Sequence, residues 1–235
     1  MKKIILLLTV ILAMSLTINS KTEKTTMIPG NAEIVKCPYC GTEKELMTLI
    51  SGNTFDAEYW SDNKRIAPML PHVSPVQKCP NCGKYYFEHK NRHGESKSTS
   101  FDCGELTFSE WKEAYKQFQA EGVGGEEMTN IQFWVVQSYN DYFYRNSIIS
   151  VKPSEEDYQL FSEMVVGFIE SFDWKPVKHP LLKAELYREA NCMKECKEVL
   201  ESIPYDDLED FEKSIFNDIK RRMESNDNIV FKLSV

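Results

Sequence analysis

Histidine is scarce in this chain, with 4 among 235 residues, and no HExxH pattern is present. A phosphate-binding glycine loop and a Gly-x-Ser-x-Gly elbow are also missing. Without them the sequence nominates no base, nucleophile or catalytic metal, and no enzymatic activity is expected. Carboxylates abound between residues 195 and 224, but an acidic solvated helix surface offers no reason to single out a catalytic pair. Positive charge is in short supply too, with 28 Lys and Arg against 36 Asp and Glu. The deficit lies almost wholly in residues 104–235, which carry 15 basic and 26 acidic side chains. Such a surface repels phosphate backbones, so nucleic acid is not expected as a partner.

Long apolar runs are absent as well. The longest, from Ile4 to about Ile18, falls short of the ~20 residues that a spanning helix needs. Its context is that of an export signal over residues 1–20: Lys2 and Lys3 ahead of it, and small-residue cleavage options at Ala13-Met14-Ser15 or Ile18-Asn19-Ser20. The expected location is periplasmic or secreted, with no membrane span after cleavage. The alternative is a cytoplasmic chain whose translation starts at Met27, just before the sequence IPGNAEIVKCPYC.

What the chain does contain is one small unit twice: Cys37-Pro38-Tyr39-Cys40-Gly41 and Cys79-Pro80-Asn81-Cys82-Gly83. A two-residue gap lets both sulfurs turn inward at a hairpin tip. Proline after the first cysteine presets φ for the turn, and glycine after the second accepts the positive φ that closes it. Two tips supply four thiolates, the closed tetrahedral set of one structural Zn2+. The β-prone stretches Ile34-Val35 and Tyr85-Tyr86-Phe87 fit the hairpins of a zinc ribbon. Two rivals remain. Cys37-Pro38-Tyr39-Cys40 is also the active-site tetrapeptide of glutaredoxins, so a thiol–disulfide redox protein is the alternative function, although no βαβ pattern surrounds it. An exported chain could instead form two disulfides. Energetics favour the metal. A head of about 65 residues buries little apolar surface, and a structural zinc contributes an apparent ~10–16 kcal/mol at neutral pH.

Between the tips, residues 51–75 combine turn formers with Phe55, Tyr59 and Trp60. These large side chains either cap the thin core of the ribbon or form a binding surface with amphipathic aromatic anchors. The order CPYCG, SGNTF, YWSDNKRIAPMLP and QKCPNCGKYYF resembles a group of uncharacterised bacterial proteins that join a zinc ribbon to a tetratricopeptide-like helical tail. The likeness is close over residues 28–88 and loose elsewhere. It implies an architecture and no activity. Members of the group often begin near the position of Met27, so the leader departs from their pattern.

Residues 89–104 are polar and rich in Ser and Gly, as a linker or mobile loop would be. His89 and His93 stand four apart, but Gly94 and the following serines argue against the helix that would make them a metal pair. His72 and His179, beside proline-rich turns, read as ordinary surface residues. From residue 105 onward the hydrophobic period becomes helical. Thr107-x-x-Glu110 is a capping box for a helix carrying Phe108, Trp111, Tyr115 and Phe118 on one face. Gly122-Val123-Gly124-Gly125 ends it. Residues 127–144 are apolar on most sides, as a central helix is, and Ser154 caps the next. Leu181–Pro204 resembles a single tetratricopeptide unit with Asn191 at its turn. A last helix is expected over about 206–223, and Ile229–Leu233 alternates weakly, as a docked strand or extended tail would. Cys192 and Cys196 read as small buried apolar residues, and Cys103 is the odd thiol.

The expected fold class is therefore α+β: a small β-rich zinc ribbon with an inserted loop over 28–88, a linker over 89–104, and an all-α, tetratricopeptide-like bundle over 105–235. The expected function is a non-enzymatic binding or adaptor protein whose partner is a protein or peptide.

Overall fold

In the computed structural model, residues 27–143 and 153–234 are described. The leader expected over residues 1–20 lies outside them. Among the described residues no helix is long and apolar enough to cross a membrane. The chain is mixed α and β: short antiparallel strands first, then helices. The strands are β1 (Ile28–Pro29), β2 (Glu33–Lys36), β3 (Glu43–Leu46), β4 (Leu49–Ser51), β5 (Glu58–Tyr59), β6 (Arg65–Ile66), β7 (Val76–Lys78), β8 (Tyr85–Phe87) and β9 (Arg92–Glu95). The helices are α1 (Phe108–Ala120), α2 (Gly125–Asn140), α3 (Glu155–Ser171), α4 (Leu181–Glu189), α5 (Met193–Ser202) and α6 (Asp210–Glu224).

Each CPxCG unit sits at the turn of an antiparallel pair. β2 pairs with β3 around the first, Val35 opposite Lys44, and β7 with β8 around the second, Gln77 opposite Tyr86. The polar stretch 89–104 departs from its expected role as a linker or mobile loop. Its strand β9 is the third member of the sheet, in the order β3-β2-β9, and further backbone bonds bind the rest: Ala32 to Ser98, Met47 to Asp102 and Ser74 to Cys103. An exposed edge strand needs few apolar residues. All four residues of β9 face solvent, so composition alone could not reveal it. Gly104 ends the stretch at φ +63°, and a Cβ there would lie 2.0 Å from the Gln77 amide oxygen.

The helices begin where the capping chemistry places them. Reciprocal boxes join Thr107 with Glu110 and Ser154 with Asp157. α6 starts later than expected, at Asp210, because residues 205–207 form a separate 3-10 turn and Glu209 with Glu212 caps the helix proper. Asn191 turns between α4 and α5 at φ +60°.

The main core lies among α1, α2 and α3, centred on Phe118, Val135, Phe161 and Val165, and it includes Val76 and Tyr85 from the strands. Phe87 stacks on Phe118 with ring centres 4.6 Å apart. Head and body thus share one apolar interior. The head keeps a separate core of its own with only five buried members: Val35, Leu46, Tyr86 and two of the cysteines, Cys37 and Cys79. A third cluster unites α4, α5 and α6 around Ala184, Cys196 and Ile219, and Phe231 of the C-terminal tail joins it. That tail docks as a strand-like extension. Ser61 N–H donates to the Phe231 carbonyl and Leu233 N–H to the Tyr59 carbonyl, with Trp60 bridged to Lys232.

Candidate functional site

The local hydrogen bonding of the two CPxCG tips is the same. Gly41 N–H donates to the Cys37 carbonyl at 2.9 Å and Gly83 N–H to the Cys79 carbonyl at 3.0 Å; Cys37 and Cys79 N–H each close the loop on the residue after the glycine, at 2.8 Å. Gly41 and Gly83 sit at φ +75° and +72°, the conformation that the sequence pattern requires at these two positions. The turns bring the four sulfurs of Cys37, Cys40, Cys79 and Cys82 within 4.8 Å of one another. Across the tips, Cys37 Sγ is 3.7 Å from Cys82 Sγ and Cys40 Sγ is 3.5 Å from Cys79 Sγ. A tetrahedron with metal–sulfur bonds of ~2.3 Å has edges of about 3.8 Å. The donor set and its spacing therefore fit one metal ion held by four thiolates, with no ligand position left for water.

The four sulfurs sit in unlike surroundings. Cys37 and Cys79 are buried among Val35, Leu46 and Tyr86. Burial pushes the Cys37 thiol up to about 12. Cys40 is drawn down to about 5, first by its side-chain hydrogen bond with Thr42 and next by the Thr42 backbone. Cys82 N–H points at Cys79 Sγ, 3.5 Å away. Beside the tips a shallow hollow is bordered by Lys36, Lys90, Arg92 and His93, with Lys36, Lys90 and Arg92 paired to Glu43, Glu127 and Glu33.

A second feature lies where head meets body. A cleft of about 1040 Å³ opens between the segment 59–74 and the faces of α1 and α2. Its floor is an aromatic stack: Trp111 against Trp134, centres 5.9 Å apart and 7° from parallel, with His72 on Trp134 at 5.5 Å. Leu70, Phe133 and Tyr59 extend the apolar lining, and Lys64, paired with Asp141, marks the polar end. Burial raises the Asp141 carboxyl, with the Lys64 charge working against that shift. Among the described residues β6 has no strand partner other than β5. In the local order tail, β5, β6, the first two are joined by Trp60 and Lys232, and Arg65 and Ile66 of β6 border the cleft.

The three aromatic residues expected as anchors separate. Phe55 is 66% exposed, away from the cleft-lining set. Tyr59 is half-buried and lines the cleft. Trp60 is only 7% exposed, covered by Val230 with Ile66 and Phe143 around it, so it works as a core residue beneath the tail and presents no binding face. Cys196 is fully buried and held up to about 12 by burial; Cys192 is half-buried, and Cys103 Sγ lies 3.5 Å from Met47 Sδ. His89 approaches Glu127 at 3.8 Å. Among the described residues only the four tip cysteines form a metal-type group. His72 is exposed, as expected of a surface residue, and also stacks on Trp134.

Sequence reasoning missed a sealed polar cluster. Glu185, Arg188 and Glu189 of α4 and Asp62 of the head are each 0% exposed. The signal was present as ionisable residues at i, i+3 and i+4 on the helix face that also carries Leu181 and Ala184. Compared with protein-family models, curated proteins and solved structures, the chain matches none.

Proposed function

We propose that this is a non-enzymatic binding protein in which a structural Zn2+ on Cys37, Cys40, Cys79 and Cys82 makes the head a zinc ribbon. On this reading α4 and α5 are a tetratricopeptide-like pair, as in the bacterial ribbon proteins that the sequence resembles, and a segment of a partner protein binds in the cleft between head and body. One observation carries the reading. The cleft wall formed by residues 59–74 is strung between the two cysteine pairs, so whatever fixes the pairs also fixes the wall. An aromatic floor with a few polar groups at one end is the usual make-up of a recognition cleft, and the edge strand β6 suits main-chain pairing with an extended peptide. The volume is at the upper end of small-ligand pockets, roughly 300–1,000 Å³, which favours a peptide. The thiol–disulfide alternative is less well supported, since Cys37 and Cys40 each also touch a sulfur of the other tip.

A photo-crosslinking side chain at Phe133, in the cleft, compared with one at exposed Phe211 on α6, tests the reading in the source cell. The expected result is one zinc per purified chain and a protein adduct from position 133 that position 211 does not give and that chelation abolishes. Equal labelling from both positions, or none from 133, would overturn it. N-terminal sequencing of the same material tests the export that residues 1–20 suggest.

A further inference from the structure

Among the described residues, α4 sets two fully buried carboxyl groups, Glu185 and Glu189, beside one buried guanidinium, Arg188. Arg188 grips Glu185 with both branches, Nε to Oε2 at 2.8 Å and a terminal nitrogen to Oε1 at 2.6 Å. It also donates to the Asp227 and Ile229 carbonyls, the latter at 3.0 Å. Four of its five N–H donors are thus committed to Glu185 and to the C-terminal segment. Glu189, one turn on, is 0% exposed. Its Oε2 accepts from Asn140 Nδ2 at 2.8 Å, and the same amide nitrogen donates to Asp62 Oδ2 at 3.0 Å. Among the described residues its buried Oε1 meets no donor, and Glu185, four residues back on the same helix and equally buried, acts on this carboxyl. Two buried acceptors facing each other without a hydrogen between them are costly; a proton on one makes the contact a strong hydrogen bond.

We propose that Glu189 keeps its proton in the folded protein and donates it from Oε1 to Glu185, so that the two carboxyl groups together hold a single negative charge against Arg188. The site is a proton-binding lock. Through Arg188 it fastens the C-terminal segment, and through Asn140 it fastens Asp62, which begins the turn leading to Lys64 and Arg65 at the cleft. Among the described residues the groups that face it are Glu185 and Arg188 on α4, Asp62 on the head, Asn140 on α2, the Tyr158 hydroxyl of α3 on the Glu189 carbonyl at 3.4 Å, and Asp227, whose charge acts on Arg188. Burial, then the fields of Glu185 and Asp62, raises the Glu189 carboxyl well above the ordinary range. The inference rests on neither the metal nor the cleft ligand.

The sign of its pH dependence follows. Above the ordinary carboxyl range the unfolded chain has released this proton and the folded chain has not, so stability falls as pH rises until the folded group titrates. Each pH unit in that window lowers the folding equilibrium constant by a factor of about ten. The test compares denaturation of the full chain and of Glu189→Gln between pH 5 and pH 9. The glutamine amide supplies a permanent donor toward Glu185, so the variant should fold and lack this share of the alkaline loss. Parallel profiles would overturn the proposal. Infrared difference spectra of the wild-type protein at pH 7 give a second readout, which does not depend on the variant folding. A protonated-carboxyl stretch is expected, and its absence would equally overturn the proposal.

Discussion

The side chain of Gln117 on α1 brackets the backbone of Tyr85 on β8. Tyr85 N–H donates to Gln117 Oε1 at 3.0 Å, and Gln117 Nε2 donates to the Tyr85 carbonyl at 2.8 Å. An amide side chain thereby takes the place of a neighbouring strand. It satisfies an edge that β7, on the other side, leaves open. The same nitrogen reaches the Tyr39 hydroxyl of the first cysteine tip at 3.1 Å, and that hydroxyl donates to Glu121. One residue of the helical body therefore contacts both halves of the head.

Gln117→Ala removes both bonds to the Tyr85 backbone, along with the contacts to Tyr39 and Glu121, and leaves a partly buried N–H and C=O unpaired. The expected loss is about 1–3 kcal/mol, measured as a lower denaturant midpoint. Gln117→Glu is isosteric, yet it sets a carboxylate oxygen against the Tyr85 carbonyl, so it should cost at least as much at neutral pH. If the glutamate variant matched wild type, the bracket would have no energetic role.

A second tie joins α1 to α3. Lys112 Nζ donates to Asp157 Oδ1 at 2.6 Å, and Asp157 also accepts from the Ser154 N–H that opens α3. Burial works against the charged form, but these bonds hold the Asp157 carboxyl below its usual value. A depressed carboxyl stabilises the fold above the unfolded-state pKa, and the contribution disappears as pH falls through the folded one. Asp157→Asn should therefore cost about 1 kcal/mol at pH 7, and its urea midpoint should converge on the wild-type value as pH falls through the depressed folded-state pKa. A constant gap across that range would show that shape matters here and charge does not.

These relationships differ in how legible they were. The CPxCG tips could be read because turn geometry, glycine placement and sulfur count are local properties. So could the capping boxes of Thr107 and Ser154, which span four residues. β9 could not, since an exposed edge strand such as Arg92–Glu95 has no apolar period and is defined only by the partner it finds. Trp60 looked like an anchor because a tryptophan in a turn-rich segment carries no mark of its cover, and Val230 lies 170 residues away. Gln117 and Glu189 were silent for the same reason. A polar residue in an amphipathic helix is assigned to solvent by default, and only the tertiary structure shows that α1 faces a strand edge or that α4 is buried on its charged side.

The two cysteine pairs enter the fold unequally, and metal loss should expose the difference. Cys37 and Cys40 turn between β2 and β3, whose buried residues Val35 and Leu46 serve only the small head core. Cys79 and Cys82 turn between β7 and β8, whose Val76 and Tyr85 belong to the core of the helical body. The second pair is braced by α1 through Gln117, by the Phe87–Phe118 stack and by Lys78 to Glu110 at 3.2 Å. The first pair has fewer such supports. Chelation should therefore melt the head around β2, β3 and β9 first, leaving β7–β8 protected with the helices. Amide exchange read by peptide should show early loss of protection over residues 33–46 and 92–98, and later loss over 76–87. Cys37→Ser and Cys79→Ser should both abolish tight metal binding and, since both sulfurs lie in the small head core, both should increase binding of a hydrophobic dye. Simultaneous loss of protection in all three segments would mean that the metal supports head and body as a single cooperative unit, and the inequality of the two pairs would then have no thermodynamic consequence.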